Sequence, residues 1–278
     1  MIKFGESSLA VIVPKKWIDR NGLGASSIIT ISEDNRGNLV MSANERKSKE
    51  VEEVANPNLS VHSLSRIIGL HYMFGTTKLR LYFSKGYAKS ILAAIEETVK
   101  DECPGFEVIS HSSNDIAIED FNNIKDADIW KIISRLHLLI KQEFGELKEG
   151  DKDSLAASER QVNRFYMLGI RYINMLDIGD STKYFVIIQT LEMISDNLNA
   201  LSLAKKDAKI LEMLEEQFDS CFNGLNGKTE EIEKAVALRD GIYRNATKLD
   251  ALSLKTVHDI ANGIARIAEF GLYVDGKE

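Results

Sequence analysis

Short apolar runs separated by turn-forming residues make up the first 43 residues of the chain. The runs Leu9–Val13, Ile28–Ile31 and Asn38–Met41 predict short strands. Between the first two runs, Pro14 and the later Asn21-Gly22 pair bracket a segment that predicts one helix of about two turns. So small a segment buries little apolar surface alone, and we therefore expect it to form an obligate dimer.

The pattern changes after this segment. The charged stretch 45–53, which ends at Asn56-Pro57-Asn58, is typical of a linker. Beyond it, the sequence predicts a helix over 61–74, a strand over 78–83, a helix over 87–103, and strands over 106–110 and 115–118. To this α/β segment we assign a linking or dimer-supporting role.

From residue 126 to the end, apolar residues recur at helical spacing, as at Ile129, Ile132, Ile133 and Leu136. Breaks, three of which contain glycine, divide the region into helices of similar length, over 127–149, 151–177, 182–204, 205–222, 228–249 and 252–273. The break near Ser202 is weak. Because the six helices divide into two sets of three, they predict a bundle with an internal duplication.

The predicted fold class is therefore α+β, with a β module over 1–47, a linker and α/β segment over 48–125, and an all-α bundle over 126–278. Its composition, 44% hydrophobic and 28% charged, is ordinary for a globular protein and excludes a disordered or fibrous class. No apolar run approaches the roughly 18 residues of a membrane span, so we expect a cytoplasmic protein without membrane insertion. Cys103 and Cys221 are far apart and predict buried free thiols.

Charge is unevenly distributed along the chain. Residues 1–47 contain seven Lys or Arg and five acids, whereas the whole chain has a net charge of -7. The remainder is therefore strongly acidic. This asymmetry places the candidate phosphate-facing charge in the N-terminal module.

Residues 7–18, with the sequence SSLAVIVPKKWI, precede Asn21-Gly22-Leu23 and the segment Gly37-Asn38-Leu39-Val40. This arrangement resembles the AbrB/SpoVT swapped-hairpin family. The resemblance implies that two chains exchange hairpins to form one DNA-binding dimer. The predicted DNA contacts are Lys3, Lys15, Lys16 and Arg20, cations suited to phosphates rather than to bases. The alternative is a dimerisation module that does not bind DNA.

The region from residue 126 onward resembles the PhoU family of paired three-helix bundles, and the whole order resembles archaeal PhoU-type regulators. Members of that family carry ExxxD signatures that hold iron or zinc. Glu192 to Asp196 matches this signature, whereas the copy that begins at Glu159 has Asn163 in place of the acid. His258 and Asn262 replace the acids on the last helix.

The resemblance thus implies an iron or zinc site at Glu159, Glu192 and Asp196. Two acids four residues apart project from one face of a helix and could share a cation. The alternative is a solvated acidic face. No histidine has the Glu-x-x-His spacing of a di-iron bundle. We interpret His137, which lies on a mostly apolar helix, as a structural residue. For His258, which stands where the family has an acid, we favour a structural role, and the alternative is a metal ligand.

No catalytic motif is present, neither a Gly-x-Ser-x-Gly elbow nor an HExxH metal site, and we expect no enzyme. The leading hypothesis is a phosphate-responsive homodimeric transcription regulator that binds DNA through its N-terminal module and senses a metal or another signal in its bundle. The alternative is an adaptor that regulates a phosphate transporter or its ATPase without binding DNA. A metal-dependent enzyme is a third, weaker hypothesis.

Overall fold

The computed structural model describes residues 2–3, 9–33, 37–43, 49–55, 59–122, 128–175, 180–203 and 207–272. Its contacts divide the chain into two compact units, Met1–Ser48 and Lys49–Glu278. Strands occur in both units, and long helices dominate the second unit. The predicted α+β class is therefore confirmed.

The described residues of the first unit form two antiparallel sheets of two strands each and one short helix. Its elements are β1 (Ile2–Lys3), β2 (Leu9–Ala10), α1 (Lys15–Arg20), β3 (Thr30–Glu33) and β4 (Leu39–Ser42). β1 pairs with β2, and β3 pairs with β4. The first apolar run was expected to be a longer strand, but β2 ends at Ala10 and Val11 is exposed. Pairing of only two strands supports little regular structure.

The predicted short helix is present as α1. The carbonyl oxygen of Pro14 accepts hydrogen bonds from the amides of Trp17 and Ile18, at 2.9 and 3.2 Å. Proline suits this position because its fixed φ angle matches the start of a helix and its missing N–H has no helical partner. After the helix ends, Gly22 has a φ of 63°, which favours glycine.

The second unit begins with an α/β layer. Its elements are β5 (Lys49–Ala55), α2 (Val61–Met73), β6 (Thr76–Phe83), α3 (Lys89–Glu102), β7 (Phe106–His111) and β8 (Asp115–Asp120). The strands form one sheet in the order β5-β6-β8-β7, in which β5 is parallel to β6 and the other pairs are antiparallel. Side chains alternate along β6, where Leu79 and Leu81 are buried and Arg80 is exposed. The buried side joins α2 and α3 in one core.

The predicted linker is wrong for residues 49–53, because they belong to β5. The rest of that stretch, 45–48, lies outside the described residues. In β5 a charged side chain is paired across the sheet. Glu50 lies opposite Lys78 on β6, and the two form an ion pair of 3.1 Å. Cross-strand pairs of opposite charge stabilise a sheet, so a charge-rich segment can form an edge strand.

All six predicted C-terminal helices are confirmed within a few residues. They are α4 (Ile129–Glu149), α5 (Lys152–Met175), α6 (Ser181–Leu201), α7 (Ala208–Leu225), α8 (Thr229–Ala246) and α9 (Ala251–Glu269). Asp128, Asp207 and Asp250 cap three of them by accepting hydrogen bonds from amides of the first turn. These caps determine the residues at which the three helices begin.

The helices pack as two groups. α4, α5 and α6 contact one another, as do α7, α8 and α9, and the two groups meet along α6 with α9 and along α4 with α7. We call these groups the first and second helical sets. α5 also packs against α2 and α3, and Asn174 on α5 donates a hydrogen bond of 2.9 Å to the carbonyl oxygen of Met73. The α/β layer is thereby joined to the first helical set. Among the described residues, no helix is both long and apolar enough to cross a bilayer.

Candidate functional site

Three of the four predicted DNA contacts lie together on α1. Lys15, Lys16 and Arg20 are exposed, and no ion pair joins any of them to another described residue. Lys16 and Arg20 are four residues apart and therefore share a face of the helix. Lys3 lies in β1, and its side chain is outside the described part of the chain. Contact of these residues with DNA stays a prediction.

The first unit has no buried side chain among those described. Val11, Ile12 and Ile28 are 64%, 77% and 89% exposed, and Ile31 and Leu39 are also exposed. Two-stranded sheets are marginally stable in water unless a further strand or helix covers their apolar face. Large apolar side chains exposed in this number are typical of an interaction surface. A dimer partner that covers these side chains stays a prediction.

The three predicted metal ligands come from two helices of the first helical set and lie near one another. Glu192 and Asp196 are on α6, and Glu159 is on α5. The side-chain amide of Asn199 donates a hydrogen bond to Glu159, and the side-chain amide of Gln189 donates one of 3.2 Å to Glu192. Asp196 lies within electrostatic range of both glutamates.

Burial and mutual repulsion make these carboxyl groups weak acids. Burial, and after it the neighbouring Asp196 and Glu159, raise the pKa of Glu192 to about 7, against the opposing effect of Arg66. Burial is also the main cause that raises the pKa of Glu159 and of Asp196. The group therefore favours a proton or another cation at neutral pH.

Two buried acids of α4 were missed by the sequence analysis. Glu143 accepts a hydrogen bond of 2.6 Å from Ser195, and Glu146 accepts one of 3.0 Å from Ser158. One oxygen of each carboxyl group is buried without a hydrogen-bond partner. A signal was available, because Glu143 lies three residues beyond Ile140 on the apolar stripe of α4, where a charged residue is unusual.

Iron or zinc needs several ligands that converge on one point. Within the described ranges, no group of three or more His, Cys, Asp or Glu side chains is placed to hold a metal ion. The neighbouring acids instead take hydrogen bonds from amide and hydroxyl groups. The predicted metal site is therefore brought together only as a cluster of acids, and metal binding stays a prediction.

A cavity of about 610 Å³ lies beside this cluster, between the α/β layer and the first helical set. We call it the interlayer groove. α2 and α3 form one wall, and α5 and α6 form the other, which includes Glu192 and Asp196. Tyr166 and Met167 of α5 contribute apolar surface. The groove has the size of a small-molecule site, for which volumes of about 300–1,000 Å³ are usual.

The two histidines of the bundle have aromatic neighbours. The ring of His137 stacks on Phe222 with centroids 3.8 Å apart, and burial lowers its pKa to about 4, so the ring is neutral. Asp219 lies 3.9 Å from its Nε2 atom, too far for a hydrogen bond. His258 lies against Tyr243, with ring centroids 4.0 Å apart. These contacts agree with structural roles.

Searches of protein-family models, of curated proteins and of solved structures found no match to this chain.

Proposed function

We propose that this protein is a homodimeric, phosphate-responsive regulator that binds DNA through its N-terminal unit and receives its signal in the helical second unit. The observation that carries the proposal is the uncovered apolar surface of the first unit, which accompanies an exposed cationic helix. The sequence resemblances to the AbrB/SpoVT and PhoU families supply the class of regulator.

Dimerisation follows from the physics of the small unit. With Ile28 89% exposed and no described side chain buried, the unit lacks a core of its own. A second copy is the simplest cover, because equal apolar surfaces complement each other around a two-fold axis. An exchange of hairpins, as in the AbrB/SpoVT family, would also convert paired strands into a closed barrel without exposed edges.

A dimer would place two copies of α1 on one assembly. Each copy presents Lys15, Lys16 and Arg20 to solvent. Cations of this kind bind phosphates and release counterions, and two sets would contact two stretches of one duplex. The acidic remainder of the chain would be repelled by DNA, so contact would be restricted to the N-terminal unit.

The bundle supports the signalling half of the proposal. Its two sets of three helices match the paired three-helix bundles that the PhoU resemblance implies. Each set has a buried polar residue on its first helix: Glu143 accepts from Ser195 in the first set, and Gln217 donates to the carbonyl oxygens of Ala235 and Ala261 in the second. We infer a duplication in which the first set has a buried carboxyl group on its first helix where the second has a buried amide, and we place the signal at that carboxyl group.

The test is fluorescence anisotropy of labelled duplex DNA with the full chain across a salt series. Log affinity should fall linearly with log salt concentration. The triple variant Lys15→Gln, Lys16→Gln, Arg20→Gln should bind more weakly and with a shallower salt slope. The control carries the same loss of charge on exposed lysines of the second unit, as Lys100→Gln, Lys131→Gln, Lys248→Gln, and should bind as the unmodified chain does.

No binding by the unmodified chain, or equal loss in both triple variants, would refute the role of α1. The transporter adaptor would then be the better hypothesis, because it needs an exposed surface on the bundle and no cationic helix. α7 carries exposed Glu212 and Glu216 on such a surface.

A further inference from the structure

The interlayer groove is lined by carboxylates on both walls. Glu97, Asp101 and Glu102 line it from α3, and Glu192 and Asp196 line it from α6. None of these five forms an ion pair with a described residue within 4.0 Å. Glu192 is half-buried and the other four are exposed, so the groove is open to solvent along its acidic rim. Charges of one sign that are held around a groove repel one another and attract a cation.

One cationic side chain of the protein already lies between the two walls. Arg66 on α2 lines the groove and is within electrostatic range of Glu102 on one wall and Glu192 on the other. It forms no ion pair with either. Arg66 therefore marks a position where positive charge is favoured by both walls, without filling the cavity of about 610 Å³.

Because the acids lie apart on two facing walls, they favour a cation whose positive charges are also separated. A metal ion needs converging ligands within about 2.6 Å, and the described residues contain no such group. Carboxylates on facing walls instead complement a long molecule with several separated charges. Tyr166 and Met167 would contact its methylene groups. An anion is disfavoured, since five carboxylates outnumber the basic side chains that line the groove, which are His62, Arg66 and Arg160.

We propose that the interlayer groove binds a linear aliphatic polyamine, with its ammonium groups shared between the acids of α3 and those of α6. Arg66 would then compete with the ligand for the carboxylates of both walls. Since the α/β layer and the first helical set form the two walls, binding would draw them together. The inference rests on the signalling half of the proposed function and is independent of DNA binding.

The experiment is isothermal titration calorimetry of the full chain with spermidine, in the absence of DNA. We expect saturable binding of one spermidine per chain. The pairs Glu192→Gln, Asp196→Asn and Glu97→Gln, Glu102→Gln should each weaken it by roughly tenfold or more, because each removes charge from one wall. The control pair Glu230→Gln, Glu233→Gln changes the net charge equally on the exposed face of α8 and should leave the affinity unchanged.

Arg66→Ala gives the sharper result, because it should strengthen spermidine binding several-fold by removing the competing charge. An increase in affinity cannot arise from misfolding. Weaker binding by Arg66→Ala, equal weakening by the control pair, or no heat of binding would overturn the proposal. Binding of inorganic phosphate that Arg66→Ala abolishes, or displacement of spermidine by an equivalent of zinc, would identify an anion or metal site instead. If the full chain binds DNA but not spermidine, the polyamine site is refuted and the proposed DNA-binding function is unaffected.

Discussion

Arg171 on α5 and Asp120 at the end of β8 form an ion pair of 2.5 Å in which the side chains are only 0% and 3% exposed. The guanidinium group also donates hydrogen bonds to the carbonyl oxygens of Tyr72 and Thr76. The rings of Tyr72 and Phe106 lie 4.6 and 5.3 Å from it. One side chain of the bundle thus ties together α2, β6 and β8 of the α/β layer.

Asp120→Asn should destabilise the second unit strongly, because it leaves the Arg171 cation buried without its counterion. Removing one partner of a buried pair costs about 3–5 kcal/mol. The free energy of unfolding from urea titration measures this. Asp240→Asn is the control, because Asp240 pairs with Arg239 at the surface, where an ion pair contributes no more than about 1 kcal/mol. Equal effects of the two substitutions would show that the buried pair does not hold the layer.

The helices could be predicted from the sequence, but this ion pair could not. Apolar residues at helical spacing and aspartate caps are local signals, and they place α4 to α9 within a few residues. Arg171 and Asp120 are 51 residues apart, and nothing near either residue indicates the other. The same applies to β5, where a charged segment became a strand because it pairs with a distant strand.

The candidate site was predicted only in part, because local spacing indicates residues on one helix but not their neighbours from distant segments. Spacing along one helix identified Glu192 and Asp196, and the family resemblance added Glu159. The groove beside them is formed by helices of the α/β layer, and its acids, such as Glu102, look like ordinary surface residues in the sequence. Tertiary packing alone brings these two acidic walls together.

Two helical glycines should respond oppositely to alanine. A Cβ atom at Gly224 on α7 would lie 2.5 Å from a side-chain carbon of Ile232 and 3.3 Å from its backbone nitrogen, so Gly224→Ala should destabilise the second helical set. Overpacking typically costs about 1–3 kcal/mol. Gly145 on α4 has no atom within 4 Å of that position, and Gly145→Ala should stabilise by about 0.5–1 kcal/mol. Thermal unfolding of both variants measures the signs, and a stabilising Gly224→Ala would contradict the packing of α7 against α8.

The oligomeric state should depend on the apolar surface of the first unit. Ile12→Ser with Ile28→Ser should shift the full chain from dimer to monomer, because the two side chains are 77% and 89% exposed within one chain. Sedimentation velocity over a concentration series measures the shift. Leu138→Ser with Leu252→Ser changes exposed leucines of the second unit and should leave the dimer intact. A dimer that survives the first pair and dissociates with the second would place the interface on the bundle.

The stability of the second unit should fall as pH rises from about 5 to about 8. Burial raises the pKa of Glu143 from its ordinary value of 4.5 to about 8, and the nearby Glu159, Glu146 and Asp196 act in the same direction. The folded chain therefore keeps a proton that the unfolded chain releases above pH 4.5. This contribution is complete below the unfolded pKa and is lost as pH rises through the folded pKa, with a slope of at most about 1.4 kcal/mol per pH unit.

Glu143→Gln should flatten this pH dependence, because an amide stays neutral and its oxygen can still accept the hydrogen bond from Ser195. Relative to the unmodified chain, the variant should gain stability as pH rises. A buried amide is accommodated at Gln217, on the first helix of the second helical set. Urea unfolding at pH 5, 6.5 and 8 measures the slope. Glu149→Gln, on the exposed end of the same helix, should leave the slope unchanged. Parallel curves for Glu143→Gln and the unmodified chain would mean that Glu143 is already ionised in the folded protein, and its burial would then have to be compensated by a bound cation.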